Sequence, residues 1–163
     1  MKNNETAIIS LPTYLLVIII VASIATVLLT MGVFDLQKNL QTQQIENQIE
    51  TILMKAETIS AASVDETNLI LTVDFPNQMK TTVFGAVPSQ NSTNELSFLR
   101  TNYTKKSISV VFDNHQQIIK HTSISFSGKS VETYGELVPG SYDIVLKLIQ
   151  QNGETYVQIY KAG

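Results

Sequence analysis

An apolar run dominates the first part of the chain, from Ile8 to Phe34. Between Thr6 and Phe34 the sequence contains no Asp, Glu, Lys, Arg or His. A bilayer core about 30 Å thick is crossed by roughly 20 apolar residues in a helix. A soluble helix that is apolar on every face needs a large core around it, and the rest of this chain is short for that purpose. The run therefore predicts a membrane-spanning helix.

The length of this run argues against a conventional secretory signal. Such a signal has an apolar core of roughly 7–15 residues, followed by small residues at the cleavage site. Here the apolar core is longer, and the residues that end it, from Thr30 to Phe34, make a poor cleavage site. The pattern favours a membrane helix over a cleaved secretory signal.

A different periodicity follows the apolar run. Apolar residues recur at intervals of three to five, with Gln, Glu, Asn and Lys between them, as on one stripe of an amphipathic helix. The stripe consists of Leu36, Leu40, Ile45, Ile49, Ile52, Leu53, Ala56, Ile59 and Ala62. Charge pairs along this helix are few, so the stripe has to pack against something to be stable.

The two patterns predict one continuous helix. No Gly or Pro lies between Gly32 and Pro76. We expect the helix to extend from about Pro12 to about Ser63. Pro12 suits a first helical turn because its missing N–H costs nothing there. Ser10 is the candidate N-cap.

Short β-branched and aromatic runs follow Asp65. Turn residues separate them at a spacing of about ten residues, which is typical of an all-β sandwich or a barrel-like sheet. The eight predicted strands are 69–75, 81–87, 96–103, 107–112, 117–126, 129–134, 141–150 and 154–161.

The last two strands flank Asn152-Gly153. This pair supplies the two positive-φ positions of a type I′ turn, so the sequence predicts a hairpin. In its first strand, the side chains on one face would be Tyr142, Ile144, Leu146 and Leu148, with Val145 and Ile149 on the opposite face.

These elements predict an α+β fold. A long N-terminal helix, transmembrane in part, precedes an all-β, sandwich-like head. The expected boundaries are a short polar leader at 1–7 that is a candidate for cleavage, an apolar membrane or filament-core helix at 8–34, its amphipathic continuation at 35–64, and the head at 65–163.

Composition narrows the function. The chain of 163 residues has a formal net charge of −3, and only Lys105 and Lys106 are adjacent basic residues. This charge distribution lacks the cluster of basic residues that would bind nucleic acid. The absence of cysteine excludes disulfides, thiolate metal sites and thiol nucleophiles.

Candidate catalytic chemistry is sparse. The two histidines are His115 and His121, and a metal site would need both of them together with a carboxylate such as Asp113. Surface histidines are the simpler interpretation. No glycine-rich phosphate loop, H-E-x-x-H or G-x-S-x-G motif is present. We expect no enzyme activity, no cofactor, no metal and no small-molecule substrate.

Two N-x-[ST] sequons fall in the β region. They are Asn91-Ser92-Thr93 and Asn102-Tyr103-Thr104. Matches by chance are expected in a chain so rich in Asn, Ser and Thr. If the head lies outside the cell, Asn91 and Asn102 are candidates for glycosylation.

Small residues in the apolar helix recur at spacings of three and four. They are Ala22, Ala25, Thr26, Thr30 and Gly32. Such residues on one side let helices approach closely. Ordinary membrane-helix composition is an equally simple explanation.

The nine residues from Asn4 to Pro12, NETAIISLP, resemble the start of archaeal type IV pilin-like proteins, the class III signal peptide family. In that family a short polar leader precedes a Ser-x-Pro or Ser-Pro element, here Ser10 and Pro12, and an apolar segment. The resemblance implies a cut by a prepilin peptidase after Thr6 or Ala7. Ala7 or Ile8 would then be the mature N-terminus.

This sequence departs from the family at the cut. The usual Lys/Arg-Gly is replaced by Asn4-Glu5-Thr6-Ala7. The first apolar turn also lacks the glutamate of bacterial pilins, as archaeal relatives commonly do.

The resemblance implies a structural subunit of an archaeal type IV pilus-like surface filament. Such a subunit is inserted in the membrane as a precursor and self-associates through its apolar helix. Its partners would be membrane lipid, other copies of itself, the prepilin peptidase and the assembly machinery. The alternative is a static single-pass anchor whose β-head binds a surface layer or the base of an appendage machine. Lys2 favours an N-terminus inside and a head outside in both cases.

Overall fold

The computed structural model describes residues 5–62, 67–89, 97–114 and 116–163, with side chains described from Thr13 onward. The elements are α1 (Glu5–Ala62), β1 (Asn68–Phe75), β2 (Met79–Phe84), β3 (Val87–Pro88), β4 (Phe98–Leu99), β5 (Ser107–Phe112), β6 (Gln117–His121), β7 (Ser125–Ser127), β8 (Gly135–Leu137), β9 (Gly140–Gln151) and β10 (Glu154–Lys161). They confirm the α+β class. The chain divides into two compact units, Met1–Thr42 and Gln43–Gly163.

The first unit contains the apolar part of α1. The helix begins at Glu5, so the predicted start near Pro12 is wrong. Ser10 is helical and is not the N-cap, and Pro12 lies inside the helix rather than in its first turn. A proline inside a helix removes one backbone hydrogen bond. Pro12 therefore costs α1 one hydrogen bond without ending it.

The second unit is built around the later part of α1. Its predicted stripe is confirmed over the middle: the buried residues are Ile45, Ile49, Ile52, Ala56 and Ile59, and Leu53 packs partly buried against them. At the C-terminal end of the stripe the prediction is wrong, because Ala62 is exposed. Leu36 and Leu40, which belong to the first unit, are 59% and 56% exposed, and the packing of this early part against other helices stays a prediction.

Two four-stranded sheets form most of the head. One has the strand order β1-β9-β10-β7 and the other β6-β5-β2-β8, while β3 and β4 pair in a short ladder. All pairs are antiparallel except β10 with β7. Residues of both larger sheets and of α1 belong to one buried cluster. The cluster includes Phe75, Phe84, Ile108, Phe126, Ile144 and Ile159.

The two sheets come very close at one glycine. A Cβ atom built on Gly135 of β8 would lie 2.1 Å from the Cγ2 atom of Ile159 in β10. Real side chains never approach so closely, so only glycine fits this position without moving a strand.

The hairpin prediction is confirmed. β9 and β10 pair antiparallel on either side of Asn152 and Gly153, whose φ angles are 53° and 78°. These are the positive values that a type I′ turn requires. The face predicted for β9 is also correct, because Ile144, Leu146 and Leu148 are buried.

Two predicted strands are wrong over most or all of their length. Residues 129–134 form turns, in which the Thr133 hydroxyl donates to the Ser130 carbonyl over 2.9 Å. Ser and Thr side chains that bond to nearby backbone compete with strand pairing in this way. The predicted strand at 96–103 contains only β4, since Thr101 and Thr104 bond to each other and initiate a 3-10 turn at Thr104–Lys106.

Two other predicted strands are divided. The strand predicted at 81–87 breaks at Gly85, which has a φ of +87°. The strand predicted at 117–126 becomes β6 and β7, which belong to different sheets. Between them the Thr122 hydroxyl donates to the Ile124 carbonyl over 2.9 Å. The chain crosses from one sheet to the other at this turn. The expected change of character at Asp65 lies outside the described residues.

We predict that Ile52→Ala will lower the free energy of unfolding of the head by about 2–5 kcal/mol, because it leaves a cavity in a fully buried site. Urea denaturation followed by circular dichroism would measure the change. Met54→Ala, on the same helix at a side chain that is 55% exposed, is the matched control. Its expected effect is within about 0.5 kcal/mol. Equal effects of both substitutions would contradict the packing of the α1 stripe described above.

Candidate functional site: the exposed apolar helix surface

The most unusual surface of the molecule is the part of α1 from Thr13 to Phe34, here called the apolar segment. Every side chain in it is exposed. Leu29 is 72% exposed and Tyr14 is 68% exposed. Soluble monomers rarely expose so large a continuous apolar surface. This helix is long and apolar enough to cross a membrane.

Three hydroxyl groups in the middle of the apolar segment are bonded within the helix. Ser23 donates to the Ile19 carbonyl over 2.7 Å, Thr26 to Ala22 over 2.8 Å, and Thr30 to Thr26 over 2.7 Å. In lipid, every polar group needs an internal partner. These side chains therefore enter an apolar environment without leaving an unsatisfied donor.

The predicted small residues do share one side of the helix. At about 100° per residue, Ala22, Ala25, Thr26, Thr30 and Gly32 occupy an arc of about 160°. Leu29 and Val33 lie in the middle of the same arc. The small residues therefore form separate notches between larger side chains. A Cβ atom built on Gly32 would meet nothing within 4 Å, so its notch is open.

The candidate processing residues are Thr6, Ala7, Ile8, Ser10 and Pro12. All belong to α1, and their side chains lie outside the described part. Processing at Thr6 or Ala7 stays a prediction.

The histidines are not brought together in the described structure. His121 lies at the end of β6, with Nδ1 3.1 Å from the Ser107 hydroxyl, and His115 lies outside the described residues. Within the ranges that the structure describes, no three His, Cys, Asp or Glu side chains are placed to hold a metal ion.

One sequon can be placed. Asn102 is exposed in a turn, and the next residue, Tyr103, is 90% exposed. The side-chain amide of Asn102 is therefore accessible to a modifying enzyme. Asn91 lies outside the described residues. Glycosylation at both asparagines stays a prediction.

A cluster that the sequence does not reveal joins Lys105, Glu154 and Tyr156. Lys105 Nζ lies 3.2 Å from a Glu154 carboxylate oxygen and donates to the Tyr156 hydroxyl over 2.9 Å. The Tyr156 hydroxyl in turn donates to Glu154. Lys105 is about 50 positions from both Glu154 and Tyr156 in the sequence, so no local pattern could have identified the cluster.

The protonation of this cluster, with Lys105 and Glu154 both charged, is that of a structural tie, meaning a polar contact that joins two segments of the chain. The hydrogen bond with Tyr156, and then the Glu154 carboxylate, raise the pKa of Lys105. Hydrogen bonds from Tyr156 and Lys105 lower the pKa of the Glu154 carboxyl. Both shifts favour the charged forms. A lysine nucleophile needs the opposite shift, so the cluster fixes the 3-10 turn to β10.

Arg100 is a second structural tie. Its guanidinium donates to the carbonyl of Gly85 over 2.7 Å and to that of Val131 over 2.8 Å. Partial burial lowers its pKa from the usual value. Because both of these acceptors are neutral backbone carbonyls, Arg100 serves to hold two loops together.

No family model matches the chain, and neither a curated protein nor a solved structure is similar to it.

We predict that lysines in the apolar segment will release the protein from membranes. Replacing both Ile24 and Leu28, which are 56% and 64% exposed, should cost about 5–7 kcal/mol of insertion free energy at about 2.5–3.5 kcal/mol for each lysine. Membrane fractionation after alkaline washing would measure the loss. The control replaces Leu36 and Leu40 with lysine at the same spacing and similar exposure, beyond the segment. If both double variants remain equally in the membrane, the segment does not lie in lipid.

Proposed function

We propose that this protein is a structural subunit of an archaeal type IV pilus-like surface filament. In this proposal the subunit is held in the membrane before assembly, with its N-terminus inside the cell and its head outside. Assembly then withdraws the apolar segment from lipid and packs it against the same segment of other copies. The head remains at the filament surface.

The observation that carries this proposal is the complete exposure of the apolar segment. A surface of this kind needs either lipid or other helices around it. Exchanging lipid for neighbouring helices leaves the amount of buried apolar area nearly unchanged, so close packing has to supply the preference. The notches at Ala25 and Gly32 offer that packing. The resemblance of residues 4–12 to archaeal type IV pilin-like proteins favours a filament over other assemblies.

The continuity of α1 also supports a filament subunit. No non-helical residue separates the apolar segment from the stripe that packs in the head. A binding domain held on a membrane anchor more often has a flexible linker rich in Gly and Ser.

The second candidate function is a static membrane anchor whose β-head binds an external partner. The observation that favours it is the sequence Asn4-Glu5-Thr6-Ala7, which stands where the family has Lys/Arg-Gly before the cut. Without a cut, the subunit would stay in the membrane. In both functions the ties at Lys105 and Arg100 are structural, and we propose no catalytic role.

We predict that native protein in sheared surface material will begin at Ala7 or Ile8, since a filament subunit is processed before assembly. Intact-mass measurement and N-terminal sequencing of sheared material and of washed membranes would test this. An intact Met1-Lys2 start, found in membranes alone, would reject the filament and leave the static anchor.

We also predict that filling the notches will block assembly without releasing the protein from membranes. Ala25→Leu combined with Gly32→Leu adds bulk on one line of the helix while keeping it apolar. The control, Val21→Leu with Ile24→Leu, changes positions that are already large. Electron microscopy of sheared material and membrane fractionation would follow the two outcomes. Normal filaments from the notch variant would show that the notches are not helix contacts.

A further inference from the structure

Strand β6 is an edge strand with a free backbone. Its partner is β5, and within the described ranges no strand pairs with its other side. Backbone bonds join Thr122 to Lys106 over 2.8 Å and Phe112 to Gln116 over 3.0 Å. By antiparallel alternation, the ladder bonds between these two use Ile118 and Lys120. The N–H and C=O groups of Gln117, Ile119 and His121 therefore point away from β5.

A groove of about 340 Å³ lies beside this edge, within the head. Its lining residues are Glu46, Ile49 and Glu50 of α1, Ile108 and Val110 of β5, and Ile118, Ile119 and Lys120 of β6. Much of the lining is apolar, and the carboxylates come from the helix. An added strand would therefore find backbone partners along β6 and space for its side chains over the groove. Strand addition to a sheet edge uses this combination.

The sequence of β6 is complementary to itself when it is paired antiparallel about Ile119. Ile119 then faces Ile119 of a second copy, Gln117 faces its His121, and Ile118 faces its Lys120. No two like charges are directly opposite, which would destabilise the pair. Ile119, whose side chain is 45% exposed, becomes covered by its own counterpart.

Charge also favours this register. Pairing Lys120 of one copy with Ile118 of the other places that lysine at the groove of its neighbour, beside Glu46 and Glu50. None of these three side chains forms an ion pair with the described residues of its own copy. Two copies bring four of these carboxylates and two of these lysines together. Each lysine, which lines the groove of its own copy with Glu46 and Glu50, therefore has the same two carboxylates of the second copy beside it as well.

The other long free edge, β1, lacks these features. Its outward carbonyl at Asp74 already accepts from Gln44 Nε2 over 3.3 Å, and its residues do not line the groove. Ile70, at an outward position of β1, is 65% exposed. It provides a matched control.

We propose that the head binds a second copy of this chain through β6, pairing the two edge strands antiparallel about Ile119 and joining their sheets into one. The interface consists of β6 and the groove beside it. The proposal does not depend on the filament, because it concerns only the second unit.

A cross-linking experiment tests the register. Because the chain has no native cysteine, Ile119→Cys introduces a single thiol into the full-length protein. Directly opposed residues in a hydrogen-bonded pair have Cα atoms about 5.5 Å apart, which suits a disulfide. In detergent with a mild oxidant, Ile119→Cys should form disulfide dimers at least about tenfold faster than Ile70→Cys, as seen on non-reducing gels. Equal rates of dimer formation for the two variants would overturn the proposal. This holds even when association through the apolar segment makes both rates high.

A second pair of variants tests the backbone pairing. Ile119→Pro removes an N–H that points away from β5, a position where edge strands tolerate proline. Because the symmetric pair loses a donor from each copy, self-association should weaken by about tenfold or more. Ile70→Pro makes the same change at the β1 edge and should have no effect. Sedimentation in detergent measures association, and circular dichroism checks that each variant folds. Unchanged association of folded Ile119→Pro would reject the β6 interface.

Discussion

The fold of the head depends on the burial of one stripe of α1 together with residues of the two four-stranded sheets. Ile45 and Ile52 are fully buried, and they share one cluster with residues of both four-stranded sheets. Each sheet has free edges and lacks a disulfide to hold it. The helix supplies apolar surface that either sheet alone lacks. Without that surface, the sheets would keep only the apolar residues that they themselves contribute to the cluster.

The same helix carries two surfaces with opposite requirements. The stripe in the head is covered by protein, whereas the apolar segment has no covering at all in the described chain. The change is visible in the sequence, because polar residues appear regularly after Phe34. The surface on which the head packs is therefore separate along α1 from the exposed apolar segment.

Sequence pattern predicted the elements well wherever the local pattern of apolar and turn residues was regular. The apolar segment, the buried middle of the stripe and the β9–β10 hairpin all follow from local patterns, and the hairpin has positive φ at both turn residues. Several strands were mispredicted where hydroxyl side chains bond to nearby backbone, as at Thr133 and Thr122, and one was broken by the positive φ of Gly85. Sheet order, the Lys105–Glu154–Tyr156 cluster and the groove beside β6 depend on contacts between distant residues. No local pattern contains that information.

The pairing of β1 with β9 has a consequence for the order of events during synthesis. Asn68 and Lys147 are partners in this ladder, so the first strand of the head waits for a strand that the ribosome makes much later. Pairing between such distant parts is slow because a long loop has to close first. The apolar segment therefore leaves the ribosome well before the head can fold. Any machinery that engages the helix as it emerges therefore meets a head that is still unfolded.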